Sequence, residues 1–312
     1  MTYSSEQLQT LADEAVALGR KCHDGANADY IPFLASVPSE LCGLSIVCCD
    51  GTLIHSGDCG YGFALESISK VCSMVLAMEQ KGTEMVREKI GAEPTGLPFN
   101  SVMALTTHHD KPLTPLVNAG AMATVSFLDA PDKESRWRMI LEFQQQMMSE
   151  NVVLSAEVNQ SEQDTNFHNR AIAWLLYAAG NCFSDPMEAC EVYTRQCSTL
   201  VTCDDLATLG GTLANNGVNP ITGKRVISPE NITSALAEMT MEGLYEFSGD
   251  WAFLVGLPSK SGVGGGVVSV VPGEMAIAGF SPPLDEVGNS VRAMRMIRHV
   301  ANQLNLSVYN PK

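Results

Sequence analysis

Apolar and polar positions along the chain fall into two textures. Near the N-terminus, Ser4-Ser5-Glu6-Gln7 has capping-box spacing and opens an amphipathic helix running to about Gly19. From Cys42 the apolar residues crowd together without a helical period. Residues 42–49 and 52–55 read as strands joined at Asp50-Gly51, the strongest short hairpin signal. The pattern returns near the C-terminus, where 266–271 and 274–279 flank Pro272-Gly273, and an amphipathic helix at about 289–304 follows. Between these strand pairs the spacing predicts helices near 64–80, 134–149, 168–179, 187–197, 203–215 and 229–240. Ser228-Pro229 supplies a cap followed by a first-turn proline, while Gly180 and Gly217 read as C-terminal stops.

Hairpins remote in sequence must still bury their apolar faces. The economical solution is one antiparallel sheet built from both ends, with the terminal helices packed on one side. That predicts an α/β (α+β) fold with a large helical insert. No internal repeat, low-complexity tract or long linker interrupts the chain. The expectation is a single domain over 1–312, with a sheet lobe of 1–63 plus 251–312 and a mainly helical lobe of 64–250.

Composition narrows the function. The 312 residues are 45% apolar and 17% charged, enough for a sizeable core. A net charge of -16, with no run of Lys or Arg, disfavours nucleic acid and anionic membrane surfaces as partners. The apolar stretch at 171–180 is too short to span a bilayer, and Met1-Thr2-Tyr3-Ser4-Ser5-Glu6 lacks the basic and apolar regions of a signal peptide. Ten cysteines contain no Cys-x-x-Cys, and Cys48, Cys49 and Cys72 sit in apolar runs, so reduced thiols in the cytoplasm are expected.

Metal and nucleotide sites are not expected. No two histidines stand four apart, and adjacent His108 and His109 read as a loop before Asp110. The glycines of 262–266 lead into a strand rather than a helix, so they do not form a dinucleotide fingerprint, and no Walker motif occurs.

Ser67-Ile68-Ser69-Lys70 is different. On a helix opening near Leu65, residues i and i+3 share a face, so hydroxyl and amine can meet. Serine needs a base to become a nucleophile, and a lysine whose pKa is lowered by burial can serve. The helix N-terminus adds N–H donors for an oxyanion. Lys260-Ser261-Gly262, at the start of a C-terminal strand, is the Lys-Thr/Ser-Gly element expected to face such a helix, and the pair resembles the penicillin-recognising serine enzymes. Their Ser-Asp-Asn element is absent, and Tyr193-Thr194-Arg195-Gln196-Cys197-Ser198 stands in its place.

Longer stretches carry a narrower resemblance. They include Asp29-Tyr30-Ile31-Pro32, Ser67-Ile68-Ser69-Lys70-Val71, Gly96-Leu97-Pro98-Phe99-Asn100-Ser101, Asn118-Ala119-Gly120-Ala121 and Asn169-Arg170-Ala171. Gln196-Cys197-Ser198, Leu213-Ala214-Asn215-Asn216-Gly217-Val218-Asn219-Pro220, Lys260-Ser261-Gly262-Val263-Gly264-Gly265-Gly266, Ser281-Pro282-Pro283-Leu284-Asp285 and Gly288-Asn289-Ser290 follow in order. Together they closely resemble the serine-dependent glutaminases from about Asp29 to the C-terminal helix.

The resemblance implies a β-lactamase/transpeptidase-like fold and hydrolysis of L-glutamine to L-glutamate and ammonia through a glutamyl ester. It makes Ser67 the nucleophile and Lys70 its base, with Tyr245 assisting departure of ammonia. It places Tyr30, Ser67, Asn118, Glu162, Asn169, Tyr193, Tyr245 and Val263 around the substrate, supported by Lys260, Ser261 and Gly262. It implies no metal or organic cofactor, a cytoplasmic location, and a homo-oligomer, dimer or tetramer.

The residue types suit the substrate. Glu162 answers the α-ammonium, asparagine amides and tyrosine hydroxyls the carboxylate, and the resemblance implies the Ser67 and Val263 N–H groups as donors to the developing oxyanion. Simpler readings stay open: Asn118 as a helix cap, Glu162 as a solvated loop acid, Tyr193 and Tyr245 as core aromatics. So do another serine amidase or β-lactam-reactive enzyme on the same scaffold, and an inactive amino-acid-binding relative. Cys197 lacks a partnered histidine for a thiol nucleophile.

Three positions depart from the family pattern: Glu66 for a usual glutamine, His168 for arginine and Asn166 for glycine. A carboxylate at Glu66 would raise the Lys70 pKa, but one position from Ser67 on a helix it is expected to point elsewhere.

Overall fold

A computed structural model describes residues 3–310, so Met1 and Thr2, the start of the segment read for an export signal, lie outside the described residues. The strands are β1 (Gly43–Cys48), β2 (Leu53–Gly57), β3 (Phe63–Ala64), β4 (Val153–Leu154), β5 (Thr199–Val201), β6 (Ser259–Ser261), β7 (Gly266–Val271) and β8 (Met275–Phe280). Five of them form one antiparallel sheet in the order β2-β1-β8-β7-β6. Both hairpins form where the turn residues place them. Asp50 Oδ1 accepts from the Thr52 N–H at 3.0 Å, and Gly51 takes φ +89°. The two chain ends join through β1 and β8, with Gly43 opposite Phe280 and Cys48 opposite Met275.

The side-chain period of two sends alternate strand residues to opposite faces. Leu44, Ile46, Val267 and Ile277 pack beneath the helices Ser5–Arg20 and Val291–Leu304, against residues such as Leu8, Met296 and Val300. Val47, Val268, Val270 and Phe280 face the helical mass. With both faces covered, the strands read as continuous apolar runs rather than as alternation. The helix Cys203–Ala214 lies directly on the inner face. A Cβ at Gly210 would stand 2.6 Å from both Ala276 Cβ and Val268 Cγ2, so glycine permits that approach.

The expected helices appear as Lys133–Met147, Phe167–Ala178, Pro186–Cys197, Cys203–Ala214 and Pro229–Glu242. The segment expected as one helix near 64–80 is divided into β3, a single 3₁₀ turn at Glu66–Ile68, and the α-helix Ser69–Lys81. Lys260-Ser261-Gly262 likewise differs. Lys260 and Ser261 belong to a separate edge strand, β6, which reverses through 262–265 into β7.

A second sheet, in the order β3-β5-β4, was not foreseen. Strand β3 runs into the Ser67 turn and β5 leaves the helix Pro186–Cys197, so their pairing fixes that helix beside Ser67. Among the described residues, no helix is long and apolar enough to cross a membrane, and no group of three or more His, Cys, Asp or Glu side chains is arranged to hold a metal ion. All ten cysteines are free.

Candidate active site

Ser67 occupies the middle of the 3₁₀ turn and Lys70 the first turn of the helix after it, both buried. The Ser67 N–H therefore lies at a helix start, where no intrahelical acceptor exists. Lys70 is surrounded by apolar and aromatic groups, with Nζ 5.7 Å from the Phe99 ring centroid and 6.0 Å from that of Tyr193. Burial pushes its amine down to about 8. Its hydrogen bond goes to Asn118 Oδ1 at 2.7 Å, rather than to Ser67. The Tyr245 hydroxyl, close to the Ser67 side chain, donates to the Ser261 carbonyl at 3.3 Å.

Asn118 organises the neighbourhood. Its Oδ1 accepts from Lys70 and, at 3.1 Å, from the Tyr193 hydroxyl, while its Nδ2 donates to Asn169 Oδ1 at 3.0 Å. It stands at the first position of the helix Asn118–Phe127, but the N-cap is Val117 and no side chain caps that end. The cap reading of Asn118 is thereby replaced by a polar network joining four helices.

The second lysine has another setting. Lys260 is fully buried, donates to the carbonyls of Gly243 at 2.9 Å and Ser261 at 2.7 Å, and lies 4.6 Å from the Tyr245 ring centroid. Burial and then the neighbouring Lys70 hold its amine well below the ordinary lysine range. Its bonds tie β6 to the segment before Tyr245, a residue at φ +55°. Ser261 is buried beside it, and Gly262 and Gly264 admit the chain against Leu65 and Ala64: a Cβ there would meet the Leu65 carbonyl at 2.8 Å and the Ala64 carbonyl at 2.2 Å. Val263 sits between them, its N–H unengaged by backbone acceptors among the described residues.

A cavity of about 1030 Å³ opens above these groups, near the upper end of the ~300–1,000 Å³ usual for ligand sites. Tyr30, Asn118, Glu162 and Asn169 line it, with Phe99 and the loop Asp285–Gly288. Tyr30 is exposed at the rim. Gly288 connects cavity to depth, since a Cβ there would lie 3.5 Å from both Tyr245 and Val263. Ser67, Lys70, Tyr193, Tyr245 and Val263 thus lie beneath the cavity wall rather than along it.

Glu162, in the helix Ala156–Gln163, accepts from Ser198 Oγ at 3.2 Å and is pushed up to about 7 by desolvation. Its carboxyl lies against that of Glu66. Glu66 was expected to point away, on the premise that it is helical. Its φ is +53°, and that left-handed turn carries its side chain into the protein, where it is buried. Burial and then Glu162 hold its carboxyl well above the usual range. His168 Nε2 donates to the Asn100 carbonyl at 2.6 Å, and Asn166 Nδ2 to Thr194 Oγ1 at 3.0 Å. Cys197 is held well above its usual range by burial and then Glu162, and it stands 3.5 Å from Ser69 Oγ. It is a thiol here and no nucleophile.

Sequence reasoning assigned no role to Phe99, which packs on Tyr245 with ring centroids 4.6 Å apart, or to Gly288 and Gly243. Phe99 and Gly288 sit in stretches singled out for the family resemblance, and that was the available signal.

A profile of the family described as Glutaminase matches residues 25–309. Glutaminase 1 of Shigella flexneri is 61% identical over 98% of each chain. A solved structure described as the probable glutaminase ybaS superposes with a TM-score of 0.98 at 60% identity, covering 99% of this chain and 100% of that one. A Bacillus subtilis glutaminase, YbgJ, in covalent complex with 5-oxo-L-norleucine formed from 6-diazo-5-oxo-L-norleucine, is 30% identical with a TM-score of 0.86 over 98% of this chain and 99% of that chain. The fold, the buried Ser67–Lys70 turn and these likenesses agree, and the chain belongs to the glutaminase family.

Proposed function

We propose that this glutaminase hydrolyses L-glutamine with Ser67 as nucleophile and Lys70 as general base. Ser67 Oγ attacks the side-chain amide carbon as its proton passes to the neutral Lys70 amine. The carbonyl oxygen, becoming an oxyanion, is received by the Ser67 and Val263 N–H groups. Collapse breaks the C–N bond and expels ammonia, which takes a proton returned by Lys70, with the Tyr245 hydroxyl beside the serine and placed to relay it. Water then attacks the ester, giving up a proton to Lys70, and glutamate leaves with Ser67 restored. Glu162 receives the α-ammonium, while Asn169, Asn118, Tyr193 and Tyr30 serve the α-carboxylate.

The observation carrying this reading is the state of Lys70. Its amine is buried, held by a neutral amide and pushed down to about 8, which suits proton abstraction. The covalent adduct described for the B. subtilis relative supports a nucleophile in this fold. Coupled detection of glutamate and ammonia from L-glutamine, with L-asparagine beside it, tests the activity. Ser67→Ala is expected to remove nearly all turnover in protein that melts normally, and retention of most activity would require another nucleophile. The lobes act as one catalytic unit, Lys260 of one holding Gly243 of the other. A cytoplasmic homo-oligomer completes the proposal: free thiols favour the location, and sedimentation of the purified chain tests the assembly.

A further inference from the structure

Glu66 lies one residue before the nucleophile, at φ +53°, a left-handed conformation strained for a non-glycine residue. Its aliphatic stem is covered by the glycine turn, since Cβ atoms at Gly262 and Gly264 would stand 3.3 Å from Glu66 Cβ and Cγ. Its carboxyl meets Glu162, and its Oε1 is buried without a partner. Two carboxylates in such contact cannot both ionise without strong repulsion, so the pair holds one proton between them. Ser198 donates to Glu162, which favours the charge there and leaves the proton on Glu66.

We propose that Glu66 is a positioning residue for the substrate: as the acid form it donates to Glu162 and fixes that single negative charge for the α-ammonium. The assignment rests on Glu162 as the ammonium site. The charged and titratable groups around Glu66 are Glu162 from one helix, Lys70 from another, Tyr193 and Cys197 from a third, Tyr245 from its 3₁₀ turn, and Tyr30 at the rim. Lys260, on the strand packed against the Ser67 turn, is directed to backbone carbonyls instead. Lys70 is the cation in this set whose state Glu66 alters. Loss of the Glu66 proton would place a second negative charge beside the serine, opposing the oxyanion and favouring protonated Lys70.

Glu66→Gln preserves shape and a hydrogen-bond donor but removes the ionisation. The ratio of kcat/KM for Glu66→Gln to that of the unaltered enzyme, which cancels the substrate's own titration, is expected to climb at least about tenfold between about pH 6 and about pH 9. Glu66→Ala, lacking the donor, is expected to raise KM for glutamine several-fold more than Glu66→Gln does. In protein labelled with carboxyl-¹³C glutamate, one resonance titrating well above the ordinary glutamate range should vanish in Glu66→Gln, a readout independent of activity. A ratio flat across pH, or a labelled spectrum without that resonance, overturns the proposal. If instead Glu162→Gln leaves KM unaltered, the ammonium assignment itself fails.

Discussion

The Lys70 amine and the Asn118 amide oxygen stand 2.7 Å apart, and the oxygen also accepts from Tyr193. A neutral acceptor orients the amine without fixing its proton, whereas a carboxylate would stabilise the ammonium form. Asn118→Asp is therefore expected to move the acid limb of kcat upward by about one pH unit or more. At pH 7 the fraction of free amine, and with it kcat, falls about tenfold per unit of that movement. A kcat–pH profile checks this, and an unmoved limb would exclude Lys70 as the base.

The same burial makes Lys70 costly to the fold. Its native value of about 8 lies below the ordinary 10.5 of an unfolded chain. Between those values the unfolded chain binds the proton that the native state lacks, so stability from this group is complete above about 10.5 and lost as pH falls to about 8. Below that, the native protein carries a buried charge worth about 3 kcal/mol of destabilisation. Lys70→Met is expected to be inactive yet about 1–3 kcal/mol more stable at pH 7, an advantage that fades by about pH 10. Denaturant unfolding at the two pH values measures it, and a less stable variant at pH 7 would contradict the argument.

Elements with a strong period or strong turn chemistry were readable in the chain. Asp50-Gly51 and Pro272-Gly273 placed the hairpins, and apolar faces placed the longer helices. The helix Asn118–Phe127 was missed because it is buried on nearly every side and has no polar face to reveal a period. Strands β3, β4 and β5 have two or three residues each, too few for alternation to show. In the site, Ser67, Lys70 and the glycine turn announced themselves by spacing. The contact between Glu66 and Glu162 did not, because it depends on a left-handed backbone at Glu66 that no local rule anticipates for glutamate.

Glu162 faces the cavity and is the carboxylate assigned to the α-ammonium. Glu162→Gln keeps its shape and removes its charge. A charge-assisted hydrogen bond contributes about 1.5–3 kcal/mol, so KM for glutamine should rise about 10- to 100-fold with a smaller change in kcat. A glutamine analogue lacking the α-amino group separates this from general damage. The unaltered enzyme should discriminate strongly against it, and Glu162→Gln should lose most of that discrimination. Equal discrimination by both proteins would place the ammonium elsewhere.

The oxyanion site depends on backbone position, and Gly264 is where that dependence is exposed. Its missing Cβ would lie 2.2 Å from the Ala64 carbonyl oxygen, so alanine there must displace the 262–265 turn that carries the Val263 N–H. No catalytic side chain changes. Loss of one well-placed oxyanion donor costs about 10²–10³ in kcat, whereas ground-state binding through Glu162 and the asparagines is untouched. Gly264→Ala is thus expected to lower kcat by about that factor with KM altered far less. Gly249, whose Cβ would meet nothing within 4 Å, provides the matched control, and Gly249→Ala should keep the unaltered kcat. If Gly264→Ala turns over glutamine as fast as Gly249→Ala while both melt alike, the Val263 N–H is not the donor and the oxyanion must be stabilised by other groups.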